Sequence, residues 1–270
     1  MKTKSPIALA AIAFAATAIA PAAAQVPLHP ALQDRWSFGA GIFFPQTTTQ
    51  ASLTSKSTGL GTVIDFEDTL GIKRSDTVPT LYGRWRINQR WRIDAEYFQL
   101  NRSSERVIDR QINWGDQTFP ANTSVSSKFD FSDLRISGGY SFFRTPDKEF
   151  GVGLGLHMAW YDVSLNGPTG SGEGQDVLAP LPVLSIYGNF ALTDRWALGA
   201  RLDRFSLEYD KFSGGLTNLA LDLQYQPFRH VGFAFGYRGL FIRAEVEEDR
   251  VTGKFRQTFA GPIVSMNVSW

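Results

Sequence analysis

The chain of 270 residues contains no cysteine and only three histidines. The first absence excludes disulfides, thiolate nucleophiles and cysteine-based zinc sites. It also suits an exported chain that crosses an oxidising compartment unfolded. Long apolar runs are missing as well. After residue 24 no segment approaches the roughly 20 apolar residues of a membrane helix, so any crossing must be made by strands. Nor does one sign of charge dominate, with 27 Lys+Arg against 26 Asp+Glu. Such balance gives no reason to expect a nucleic acid partner or a polybasic membrane dock.

The first 24 residues read as a cleaved secretory signal. Met1-Lys2-Thr3-Lys4 is a basic start, Ile7 to Ala20 is apolar apart from Thr17, and Pro21-Ala22-Ala23-Ala24 offers a small-residue site before Gln25. The run is too short to be a spanning anchor. Losing Lys2 and Lys4 takes the 27 basic residues to 25 against 26 acids, a formal net charge of −1 for residues 25–270. That remainder is expected to form one domain.

What is present is alternation. An Arg-Trp pair opens three amphipathic stretches, at Arg35-Trp36, Arg90-Trp91 and Arg195-Trp196, and a fourth ends on Trp270. Trp36-Phe38-Ala40-Ile42-Phe44 and Trp91-Ile93-Ala95-Tyr97 are spaced by Ser, Gly or charged residues. Period two places one set on one face of a strand and the other set opposite. Ten such stretches are counted between Trp36 and Trp270, though eight or twelve also fit the uncertain boundaries. Four links are short: Asn88-Gln89, Thr145 to Lys148, Thr193-Asp194 and Pro227 to His230. The other five fall near 45–76, 103–122, 166–177, 211–215 and 247–254 and are mostly longer. Short and long links alternate strictly.

Aromatics mark one level of every stretch: Trp36, Trp85, Trp91, Phe142, Phe150, Phe190, Trp196, Tyr225, Phe233 and Trp270. A soluble sandwich explains alternation but not this girdle, because Trp and Phe prefer the boundary between hydrocarbon and water. The fold expected is all-β: a closed antiparallel transmembrane barrel, apolar face outward, with short turns and both termini periplasmic.

At this point the chain resembles the small outer-membrane β-barrel proteins of Gram-negative bacteria, the group that includes the OmpA transmembrane domain and OmpW-like proteins. The most specific element is the ending Val264-Ser-Met266-Asn-Val268-Ser-Trp270. It looks like the C-terminal aromatic signal that the barrel-assembly machinery reads in that group. The resemblance implies outer-membrane location, lipid contact and topology, not an activity. With the chain ending at Trp270, no peptidoglycan-binding domain of the OmpA kind is expected.

The opposite faces should fill the lumen. Arg84, Arg86, Arg92, Arg135, Arg201 and Arg238 meet Asp94, Glu96, Asp133, Asp203 and Asp222 there. Much of the remaining wall is small, including Gly39, Gly41, Gly139, Gly151, Gly153 and Gly155. Arginines from the second and third strands are expected to cross toward it and pair with those acids. About eight strands are just filled by side chains while roughly sixteen leave a channel, so ten point to an ion network that plugs the barrel.

An enzyme is not expected. His29 lies in the lead before the first strand, His230 in a turn, and His157 faces the lumen without a Ser or carboxylate at i±2. No G-x-S-x-G occurs, nor the Asp-x-Asp and Asp-x-His pairs of an omptin-like protease. Asp65, Glu67 and Asp68 lack calcium-loop spacing and read as a solvated face; Gly170 to Gly174 reads as a loop tip. No cofactor or metal is expected. Residues 45–76 read either as an elaborated loop or as the first strand extended above the membrane with a return arm, a surface for an extracellular ligand. The leading function is a structural, envelope or surface-interaction role. A narrow channel or binding barrel for a small solute comes second and an outer-membrane hydrolase third.

Overall fold

The computed structural model describes residues 29–55, 61–114, 117–167, 174–247 and 251–270. The leader, residues 1–24, and most of the loop tip at 170–174 lie outside them. One short helix, α1 (Pro30–Gln33), precedes fourteen strands: β1 (Trp36–Phe43), β2 (Gln46–Ser55), β3 (Gly61–Asp65), β4 (Val78–Arg86), β5 (Trp91–Val107), β6 (Ile112–Trp114), β7 (Gln117–Phe119), β8 (Ser124–Arg144), β9 (Lys148–Asn166), β10 (Gly174–Ala191), β11 (Trp196–Tyr209), β12 (Phe212–Tyr225), β13 (Val231–Glu247) and β14 (Val251–Ser269).

Ten of these form a closed antiparallel ring, β1-β4-β5-β8-β9-β10-β11-β12-β13-β14, and β1 pairs with β14 from Ser37↔Ser269 to Phe43↔Ile263. Closure leaves no edge in hydrocarbon. The count of ten is borne out. No described helix is long and apolar enough to cross a membrane.

The first and last ring strands begin and end at the end that carries the short turns, here the near end: Trp36 and Trp270 exchange backbone hydrogen bonds of 2.9 and 3.0 Å. The Arg-Trp motif acquires a local reason there. Asn88 Oδ1 accepts from the amides of Arg90 and Trp91 at 2.8 and 2.9 Å, and Thr193 Oγ1 accepts from those of Arg195 and Trp196 at 3.2 and 3.0 Å. A polar residue three before the Trp thus closes the turn and starts the strand. Girdle rings stack across strands: Trp36 on Trp85 at 5.1 Å and Trp196 on Tyr225 at 4.5 Å between centroids.

The far end differs from expectation in one respect. β8 runs 21 residues, about twice the 9–11 that a bilayer needs, so the sheet continues well past the apolar belt. Several stretches read as loop are strand. β5 continues to Val107, β6 and β7 pair as a small hairpin, and the loop placed at 211–215 shrinks to Asp210-Lys211 between β11 and β12. The glycines misled: Gly214 and Gly215 are strand positions, and a Cβ on Gly214 would lie 2.8 Å from the Phe212 ring. For 45–76 the extended-strand alternative is the one observed. β2 continues β1 along β14, and β3 returns along β2.

Outward residues match the alternation, with Leu154 70 % and Leu184 68 % exposed. Leu154→Arg is expected to cost roughly 2–4 kcal/mol in urea unfolding from lipid vesicles. At Gly155, which faces inward, harm would come from crowding instead, since a Cβ there meets Ser137 Cβ at 2.9 Å. Unchanged stability of Leu154→Arg would mean a register wrong by one residue.

Candidate functional site: the filled lumen

The site nearest the termini is a lid. In α1, Leu32 is fully buried and His29 caps the helix, its Nδ1 accepting from Ala31 N at 3.2 Å. Asp34 fixes the segment, accepting from Ser269 Oγ at 2.7 Å and pairing with Arg229 at 3.1 Å. Arg144 also donates to the Leu32 carbonyl. Sequence reading placed His29 in a plain lead; four residues carry no periodicity from which a lid could be read. Burial holds the His29 imidazole below its ordinary 6.5, against smaller opposing effects of the Arg195 backbone, Asp34 and Asp194. The docked lid therefore favours the neutral ring. Its docking should be complete above about pH 6.5 and weaken as the pH falls below it, because the released segment binds the proton more readily. Hydrogen exchange of residues 30–34 should rise between pH 7 and pH 5, and His29→Gln should flatten that profile.

Behind the lid the inward side chains of the ring meet in layers. Glu149 on β9, fully buried, pairs with Arg86 of β4 at 2.6 Å and with Arg92 of β5 at 3.5 Å. It also accepts from Ser141 Oγ at 2.5 Å and Asn189 Nδ2 at 3.3 Å. This is a correction to the sequence reading, which gave Arg86 other partners and left Glu149 out. Glu149 thus joins the five carboxylates named from the sequence. Arg92 lies over the Tyr187 ring at 3.3 Å, and that ring rests where a Cβ on Gly151 would approach to 2.2 Å. The glycine wall therefore makes room for a tyrosine.

Arg84 does not cross to the far wall, whereas Arg92 reaches Glu149 there as well as an acid on its own side. Both pair with Asp94 on their own side, at 2.7 and 2.9 Å. The arginines that cross do so to other partners: Arg201 and Arg238 reach Glu96, and Arg238 also holds Asp222 at 2.8 Å. Deeper, Asp203 gathers Arg135 at 2.7 Å, Ser185 at 2.6 Å and Asn218 at 2.9 Å. His157 Nδ1 sits 2.8 Å from Asp133, with Nε2 3.7 Å from Asp203. Its carboxylate partner comes from the neighbouring strand, diagonal to it, so inspection at i±2 could not find it.

Toward the far end the filling turns apolar. Phe131 stacks on Phe259 with 4.9 Å between centroids, meets Tyr161 at 4.9 Å and Phe98 at 5.7 Å, and Phe43 packs on Phe98. Above lies a further buried pair, Arg102–Glu67 at 2.7 Å, with Glu67 also accepting from Thr49 N at 2.7 Å. Glu67 is buried, which corrects the expectation of a solvated face for that residue; Asp68 remains exposed. Among the described residues no group of three or more His, Asp or Glu side chains is arranged to hold a metal. Two small cavities lie within the described filling: about 20 Å³ beside Phe98, Asp133 and Arg135, and about 100 Å³ under the lid beside Arg84, Glu96 and Arg238.

No protein-family model matches this chain. No curated protein sequence matches it either. Solved structures do. The outer membrane protease OmpT from Escherichia coli superposes with a TM-score of 0.56 at 9% identity, over 87% of this chain and 97% of that one. The transport unit of the autotransporter AIDA-I from Escherichia coli gives 0.41 at 8% identity over 88% and 91%. Neisserial surface protein A gives 0.34 at 11% identity over 87% and 97%. At these identities the likeness is one of fold. The fold so shown is the closed antiparallel barrel seen in the outer membrane protease OmpT.

Proposed function

We propose that the protein is a non-enzymatic, largely plugged barrel with a structural or surface-contact role, its near end in the periplasm and its strand extension outside the cell. The observation that carries this is the filling of the interior along its length: lid, arginine–carboxylate layers, aromatic layer, and the Arg102–Glu67 pair. A solute path would have to break several buried pairs, whereas the β2–β3 extension lies past the apolar belt and keeps an outward face, with Val63 exposed, for contact with an extracellular ligand. The non-enzymatic reading is supported by His157, which is buried and engaged by Asp133. Export behind a cleaved leader and insertion by the barrel-assembly machinery through Val264, Met266, Val268 and Trp270 belong to the same proposal. An epitope inserted between Asp210 and Lys211 should be labelled on intact cells and one beside Pro146 should not. Reversed labelling would overturn the orientation, and proteoliposomes that swell freely in small sugars would overturn the plug.

A further inference from the structure

Past the apolar belt the outward faces divide by charge. Following each strand from the near end, the first charged outward side chain beyond the apolar belt is Asp130 on β8, Asp162 on β9 and Asp176 on β10, which stand in one cross-strand row. On β11, β13 and β14 it is Arg204, Arg243 and Arg256. Arg243 and Arg256 are directly opposed and both exposed. Like charges so placed weaken a strand pair.

The two flanks treat this repulsion differently. The acidic row holds its own counter-cation, Lys128, 2.9 Å from Asp130 and in contact with Asp162. The arginine pair holds no counter-anion among the described residues, because neighbouring Glu245 is taken by Lys254. Beside the pair a groove of about 190 Å³ is lined by Glu208, Ser213, Arg243, Glu245, Lys254 and Arg256, among others. On the same face of β13, toward the near end, follow Phe241, Tyr237 and Phe235, all exposed. An anion between the guanidinium groups thus has apolar surface on its membrane side and water on the other. That suits a phosphate that carries acyl chains better than a free one.

We infer that Arg243 and Arg256 form a binding site for the phosphorylated headgroup of an outer-leaflet lipid. The inference rests on the proposed orientation, which puts these residues at the outer leaflet. Native mass spectrometry of the folded barrel in detergent, titrated with diphosphoryl lipid A and with its dephosphorylated form, tests it. The wild type should retain the phosphorylated lipid and not the other. Arg243→Gln with Arg256→Gln should weaken retention about 25-fold, each charge contributing about a factor of five. Arg243→Lys should keep most of it, and heat-modifiable gel mobility shows that each variant is folded. Equal retention by the double variant, or displacement of the lipid by inorganic phosphate at similar concentration, would overturn the site. A barrel that binds the lipid through these arginines yet labels with inverted topology would overturn the orientation and, with it, the outer-leaflet assignment, while leaving a phosphate-binding pair.

Discussion

Replacing Glu149 by alanine is expected to lower the unfolding free energy by roughly 3–5 kcal/mol. The carboxylate neutralises Arg86 and Arg92 in a layer shielded from water and accepts from Ser141 and Asn189. Its removal strands the buried Arg86 guanidinium, takes from Arg92 one of its two carboxylates and leaves a void. Breaking one side of a buried pair costs far more than losing an exposed pair, because the remaining charge keeps its desolvation penalty without its partner. By contrast, removing Asp68, whose pairing with Arg74 is exposed, should change stability by less than about 1 kcal/mol. Urea titration in lipid vesicles, followed by tryptophan fluorescence, measures both. A loss below about 1 kcal/mol for Glu149→Ala would show that water already solvates this layer.

Phe131→Ala should be nearly as damaging, for an apolar reason. The ring is buried and touches Phe98, Tyr161 and Phe259 from three other strands. Truncation removes its buried area and leaves a cavity that a closed sheet cannot collapse to fill, a cost of roughly 3–5 kcal/mol. Phe142, on the same strand but outward and 62 % exposed, leaves no such cavity when cut to alanine and should cost clearly less. Equal losses at the two positions in the same titration would mean that the aromatic layer is loosely packed.

These two positions show what the sequence made legible. Phe131 and Phe142 fall on opposite faces by simple alternation, with one irregularity between Ser141 and Phe143, and the same rule assigned all ten ring strands. Glu149 was within reach of that rule: Glu149-Gly151-Gly153-Gly155-His157 is one inward face. Starting β9 at Phe150 rather than Lys148 hid it behind a turn. Arg86 then lacked its partner, since which acid an arginine meets across a lumen depends on the closed geometry and not on any local spacing. Glu67 was illegible for a similar reason. Its burial depends on β2 continuing along β14 and on Arg102, 35 residues away, reaching beneath it. The lid was illegible because α1 is one turn long, and Leu32 becomes a core residue only when the barrel mouth receives it.

Single-channel recording in planar bilayers tests the plugged lumen most directly. The wild-type barrel should show near-zero conductance. Arg84→Ala and Arg86→Ala should raise it, by emptying space between the lid and the Asp203 layer, with Arg86→Ala the larger because it also frees Glu149. Steady ion conduction by the wild type, indifferent to both arginines, would contradict the account and make the protein a channel.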